Sequence, residues 1–467
     1  MLPGFPPSQK TLNFAKALAV CLSQRTQADM AGHEDRGEGG GDQPGRETKQ
    51  GGLFRLLGAS IVTGAADDDP SAIGTYASAG ARFGLSILWI APLLLPMMYV
   101  VTYLAAKIGQ VYGKGLFACI RDHFPRTVLV PIVILAFVGN VIEAAADLGG
   151  IGAALNLILP LPVPLLVTGS AALIFALQAF ASYDAIRRVF RWLALVLFAY
   201  VAAALLARPD PLAVLRHTLM PHIAWNAEFL SILVACIGTS LSAYVYTWQS
   251  NQEVEEQIAI GRVRWRQRRG ATRGEMKRTS RDVLSGMLFS NIILYFILLA
   301  TGVTLFPAGQ HRIDSAAQAA QALAPLAGPA ATYLFAAGVI GVGFLAVPIM
   351  TTGAAYDIVQ GLGREGSLHQ RPGENRLFYG VIALVTLLAV ALNMLGFNPM
   401  RALLWSGIVQ GFSVPPLLLL MMLLTNRRDV VGARTNGRWT NRLGWTTTLV
   451  TALCTVALVA SWLTAGR

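Results

Sequence analysis

The sequence predicts an all-α polytopic membrane protein with eleven spanning helices, and three observations carry that prediction. Hydrophobic residues make up 54% of the 467 and charged residues only 13%, about half the charged share of an ordinary soluble domain. Mean hydropathy is +0.53. Apolar runs long enough for spanning helices of ~20 residues recur along the chain, and Lys and Arg gather in alternate loops between them. A soluble enzyme is excluded by this composition. A Walker A motif and a nucleophile–base pair are both lacking, so no enzymatic activity is expected.

In chain order, residues 1–51 are a different material. The stretch Met30 to Gly52 is polar, Gly-rich and nearly free of aliphatics, so it is expected to be a disordered cytoplasmic tail. The run Leu12 to Leu22 has the length of a signal-peptide core but lacks a small-residue cleavage site; initiation at Met30 is the other reading. The transmembrane domain is expected over 52–464, with spans near 53–80, 84–111, 127–157, 163–181, 187–207, 228–250, 282–306, 329–358, 377–397, 399–424 and 443–464. Counted over alternate loops and adjoining span ends, one side carries 24 Lys and Arg and the other six, while seven more precede or open the first span. The positive-inside rule then puts the N-terminus in the cytoplasm and the C-terminus outside, as in an integral multi-pass protein of the plasma (inner) membrane. The net charge of +12 is therefore a topology signal, with the lipid bilayer as partner and no nucleic acid. The basic block Arg262 to Arg269 reads the same way. Cys21, Cys119, Cys236 and Cys454 lie far apart and suggest neither a disulfide framework nor a metal site.

Two spans carry unusual chemistry. In the first, Asp67, Asp68 and Asp69 precede Pro70 in an otherwise apolar segment. A charge at membrane depth costs ~2.5–3.5 kcal/mol or more, so such acids usually mark ion or proton paths. Pro70 opens the helix and frees carbonyls as ligands. The alternative is that the triplet lies in a plain loop between two short helices. In the sixth span, Gly238 to Ser250 is rich in hydroxyls and small residues, which either break the helix or serve close helix packing. Unusual segments at matching places in two five-helix halves, about 53–207 and 228–424, point to an inverted-repeat transporter. The first prediction is that Asp69 to Ala72 and Gly238 to Ser242 are non-helical and face each other. In the third span Glu143 and Asp147 share a helix face and offer a proton route, or else anchor packing. Glu253, Glu255 and Glu256 are expected at a solvated helix end, and Asp357, Arg187, Arg188 and Arg191 at the interface. The histidines fall in loops, near span ends or in the tail, and form no cluster.

The run Asp69-Pro70-Ser71-Ala72-Ile73, followed by Ala79-Gly80-Ala81, resembles the Asp-Pro-Gly-Asn-Ile…Ala-Gly-Ala motif of the first helix in the NRAMP metal-ion transporters. The sixth-span run, Gly152 to Asn156, and Pro415-Pro416 fall where that family has similar segments. The resemblance implies a LeuT-like inverted 5+5 repeat plus an eleventh helix, and proton-coupled import of a divalent cation of the Mn, Fe or Mg class by alternating access. The metal ion is then substrate, protons the coupling ion, and no resident cofactor is implied. Asp69 matches the family's metal-binding aspartate. The motif's asparagine becomes Ala72, and the metal-facing alanine and methionine of the sixth helix fall on Thr239 and Ser242. Tyr244 stands where the family has a histidine of the proton pathway, and Asp147 where it has an acid of that pathway. With a thioether replaced by a hydroxyl, harder ions are expected to suit the site. Two other readings stay open: an amino-acid or amine transporter of the same superfold, and a non-transporting membrane sensor.

Overall fold

Proline and aspartate set the first feature of the fold. Pro70 has no amide proton and its ring drives the preceding residue out of the helical region, so α1 (Ala59–Asp67) stops and α2 (Pro70–Phe83) starts afresh. Asp69 lies between them with extended backbone, φ −63° and ψ 173°. Its Oδ1 accepts the Ala72 amide at 2.7 Å, capping α2 and satisfying one of its orphan donors. The break is narrower than expected. Ser71 and Ala72 belong to the first turn of α2, and only Asp68 and Asp69 leave the helix.

The computed structural model describes residues 59–180, 195–367, 370 and 372–465. The expected tail and Arg187, Arg188 and Arg191 lie outside the described residues. After α2 come α3 (Ile90–Lys107), prolonged by a wide turn to Tyr112, a short α4 (Leu116–His123), α5 (Arg126–Asn156), α6 (Val163–Phe180) and α7 (Phe198–Leu206). A connecting helix, α8 (Pro211–Leu219), leads to the second half. That half holds α9 (Ala227–Ser240), α10 (Ala243–Ala259), α11 (Arg273–Thr304), α12 (Ala331–Gly361), α13 (Arg376–Met394) and α14 (Pro399–Asn426), and α15 (Arg438–Ala465) follows. Among the described residues nine helical stretches are long and apolar enough to cross a membrane. The broken first span and the fifth, described only from Leu195, make up the other two of the eleven. The second half repeats the first upside down, each half opening with a broken span.

The second break has no proline. α9 runs helically through Gly238, Thr239 and Ser240, against expectation, and the interruption is confined to Leu241 and Ser242. Ser240 returns its hydroxyl to the Cys236 carbonyl at 2.7 Å. The Ser242 hydroxyl stands 3.1 Å from the carbonyls of Gly238 and Thr239. Hydroxyls thus serve the acceptors a helix end leaves free. Close packing fixes the position of this half-helix, since a Cβ on Gly238 would run into the backbone of Gly407 and Gly411 on α14.

One face of the bundle carries the basic loops between α3 and α5, α10 and α11, α12 and α13, and α14 and α15; it is called the basic face below. There the spans outrun their apolar runs. α11 begins at Arg273, not near 282, because Thr272 and Glu275 form a capping box. Large apolar side chains remain exposed on α6, α13 and α15, including Leu165, Leu387 and Val456. Together with the nine long apolar helices they describe an integral multi-pass membrane protein, whose outer belt would be intolerable in water.

Candidate functional site

The two breaks meet. From α10, the Tyr244 hydroxyl lies 2.7 Å from the Ala66 carbonyl at the end of α1 and 2.8 Å from Asp69 Oδ2. A phenol has one proton, so it serves these two acceptors alternately, or serves Ala66 while a protonated Asp69 donates to it. On the other side of the junction, the Tyr76 and Ser240 hydroxyls are 2.7 Å apart.

α5 and α14 close the site. Glu143 accepts from the Ser242 hydroxyl at 2.9 Å and from Gln410 Nε2. Asp147 accepts from the amide and hydroxyl of Ser71, at 2.9 and 2.6 Å, and Ser406 donates to Ser71. Asp69, Glu143 and Asp147 are within electrostatic reach of one another. Thus Asp69, Ser242, Tyr244, Glu143 and Asp147 share one buried network. Thr239, in the last turn of α9 before the break, has a buried hydroxyl with no partner among the described residues.

The acidic triplet divides. Asp67 and Asp68 turn away toward α11, where the Ser290 hydroxyl stands 2.8 and 3.2 Å from them. Each keeps one oxygen without a partner, as does Asp147. Ala72 brings no ligand atom of its own, and its amide is held by Asp69.

Three expectations need correction. Asp357, expected at the interface, is fully buried and accepts from Asn140 Nδ2 at 3.3 Å. Glu253 and Glu255, expected at a solvated helix end, are buried; Glu255 accepts from Tyr356 and Ser367, and Glu253 from Gln249 and Thr279. Apart from Gln249 on the same helix, their partners come from α11, α12 and the loop after it, which no local pattern reveals. Only Glu256 is exposed. Gln410 was missed outright, although a lone amide in the apolar tenth span is a readable signal.

The electrostatics follow from this inventory. Asp67, Asp68, Asp69, Glu143, Asp147 and Asp357 are all 0% exposed. Among the described residues the buried bases are Lys107 and Arg268, and both are occupied at the basic face by Asn436 and by backbone carbonyls. Burying ionised carboxyls without a counter-charge costs several kcal/mol each, so protons or cations from outside must neutralise them. No three His, Cys, Asp or Glu side chains among the described residues form a ready chelate. A cation here would therefore draw on hydroxyls and free carbonyls beside Asp69.

Toward the face opposite the basic loops, a cavity of about 230 Å³ lies among Ser78, Arg82, Arg312, Asp314, Arg401 and Trp405. Ser78 is roughly 13 Å up the helix from Asp69. The floor between them includes Thr75, whose hydroxyl contacts the Leu403 carbonyl at 3.5 Å. The site is closed on this side.

Known proteins share this architecture. A manganese transporter of Eremococcus coleocola superposes with a TM-score of 0.68 at 18% identity, covering 89% of each chain. Mhp1, a nucleobase-cation-symport-1 family transporter, does so at 0.55 and 15%, covering 87% of this chain and 90% of that one. In sequence, the divalent metal cation transporter MntH of Bacillus subtilis is 25% identical over 422 residues, 87% of this chain and 92% of that protein. The MntH of Deinococcus radiodurans is 28% identical over 406 residues, or 84% and 86%. The family model described as natural resistance-associated macrophage protein-like matches residues 60–461. With nearly the whole membrane domain matched, and with a LeuT-type inverted repeat whose two broken helices meet at Asp69, the chain belongs to the Nramp family.

Proposed function

We propose that this protein carries a divalent metal cation across the membrane as its substrate, through the junction of the two breaks, by alternating access and with protons as the coupling ion. The observation that carries the reading is Asp69 itself. It is a fully buried carboxylate between two interrupted helices, without a fixed counter-cation and beside carbonyls that no helix claims. The named substrates of the relatives, manganese and divalent metal cations, support it.

Asp69 is the anionic ligand, with the hydroxyls of Thr239 and Ser242 and the carbonyls of the two breaks as neutral ones. Asp67 and Asp68 stand behind, against Ser290. All these donors are oxygen, which favours hard ions such as Mn²⁺ and Mg²⁺ and leaves weak discrimination along the transition series. Glu143, Asp147 and Tyr244 surround Asp69; the two carboxyls take up the protons that the arriving cation displaces, and the Tyr244 hydroxyl, which already holds its one proton, relays them. The basic face is cytoplasmic by the positive-inside rule, so import runs from the arginine-lined cavity toward it.

Proteoliposome uptake of Mn²⁺, Mg²⁺, Co²⁺ and Cd²⁺, with and without a pH gradient, tests the reading. Asp69→Ala is expected to abolish uptake of every ion, and Ser242→Met to shift competition toward Cd²⁺ by adding a soft sulfur. Normal uptake by Asp69→Ala, or a strong wild-type preference for Cd²⁺ over Mg²⁺, would count against the oxygen site.

A further inference from the structure

A second polar cluster lies apart from the Asp69 junction, between α5, α10 and α12. Asn140 is one turn from Glu143 toward the basic face, and its amide donates to Asp357 Oδ2. Tyr246 lies within electrostatic reach of both Asp357 and Glu143. Thr247 stands beside Asp357 without a well-formed bond. Asn140 and Asp357 are 0% exposed, Tyr246 1% and Thr247 0%. Four of their polar atoms have no well-formed hydrogen bond among the described residues: Asn140 Oδ1, Asp357 Oδ1 and the two hydroxyls.

So many unpaired polar atoms in one place are unusual in a native interior. Two carbonyl-type acceptors and two hydroxyls have the inventory to hold one bridging water, which donates twice and accepts twice. A single carboxyl with neutral oxygens around it balances one positive charge, a proton, and leaves a divalent ion uncompensated. The location completes the case. Asp357 is one turn from the end of α12 at the basic face, and the next residue back, Tyr356, reaches Glu255, which also accepts from Ser367 in the loop beyond. Ionisable groups on the packed elements include Arg126, Glu143 and Asp147 on α5, Tyr244, Tyr246, Glu253, Glu255 and Glu256 on α10, Asp67 on α1, Arg121, Asp122 and His123 on α4, and Arg376 on α13. No hydrogen bond from any of these reaches the Asp357 carboxyl, which accepts from Asn140.

We propose that Asp357, with Asn140, Tyr246 and Thr247, is a water-bridged proton station between the interior of the bundle and the basic face. Asp357 Oδ1 receives, through the bridging water, a proton displaced from the junction and releases it to water at the basic face; no other bond changes. Asp357 acts on the protons and not on the cation. This rests on the proton coupling proposed above.

The test uses the full-length protein in liposomes with an internal pH dye, calorimetric Mn²⁺ titration, and infrared spectroscopy of protonated carboxyls in H₂O and D₂O. Asp357→Asn is expected to leave Mn²⁺ affinity at the wild-type level and slow Mn²⁺-driven proton entry by about tenfold or more, in the range of lost proton-transfer groups. It should also remove one deuterium-sensitive carboxyl band. Asp357→Glu should restore part of the flux, and serves as the folded reference if the amide variant is unstable. Wild-type proton flux in Asp357→Asn overturns the station. If the wild type itself moves no protons with Mn²⁺, coupling fails as a reading, and the infrared arm decides alone: a band that fades as pH rises and is missing in Asp357→Asn upholds a water-reached titrating carboxyl, and its absence from the wild type refutes one.

Discussion

Tyr244 shows how one side chain can stand in for an ion. Its hydroxyl reaches the Ala66 carbonyl and Asp69 Oδ2, two oxygens that a cation in the junction would also seek. Tyr244→Phe leaves both without that donor, and losing a partner of a buried acceptor costs about 1–3 kcal/mol. A lower melting temperature in detergent is therefore expected, and excess Mn²⁺ should recover much of it by taking over the same oxygens. A loss that Mn²⁺ does not touch would place the ion elsewhere. Asp69 was legible from sequence because an acid followed by proline has few reasons to sit in an apolar run. Asp357 and Gln410 were readable by the same argument, but each lies in a continuous helix with no proline directly beside it to mark the position. Glu253 and Glu255 were misread because the partners that bury them from other elements, Thr279, Tyr356 and Ser367, are 26 to 112 residues away.

At the scale of the helix, the two breaks have different causes. Pro70 forces the first, and its position could be read directly. The second depends on hydroxyls returning to the preceding turn and on α9 being pressed against α14, so local sequence placed it several residues too early. Gly238 is the contact point: any Cβ there meets the Gly407 carbonyl. Gly238→Val should push α9 off α14 and cost about 1–3 kcal/mol, the range for overpacking. A thermal melt checks this, together with Ser231→Val on the same helix as a control away from that crossing. Equal melting of both variants would mean that α9 is held in some other way. Nine of the expected spans are long apolar helices among the described residues, whereas the span ends shifted wherever a capping residue, such as Thr272, carried the helix past its apolar stretch.

Taken whole, the molecule keeps most of its bases at one rim and its buried acids in the middle. If the basic face is cytoplasmic, cysteines placed at Arg364 and Arg434 in an otherwise cysteine-free protein should be labelled by an impermeant thiol reagent only after cells are opened, and one at Arg312 before. The reverse pattern would invert the transport direction argued above. The link between Ser290 and Asp67 also has a consequence for how the protein is made. The two residues are 223 positions apart, so at about 5–20 residues per second the ribosome needs about 10–45 s to supply α11 after the first span has emerged. During that interval the acids at the end of α1 lack the α11 hydroxyl that receives them. The first span to be synthesised therefore reaches its final hydrogen bonding only once the seventh has arrived.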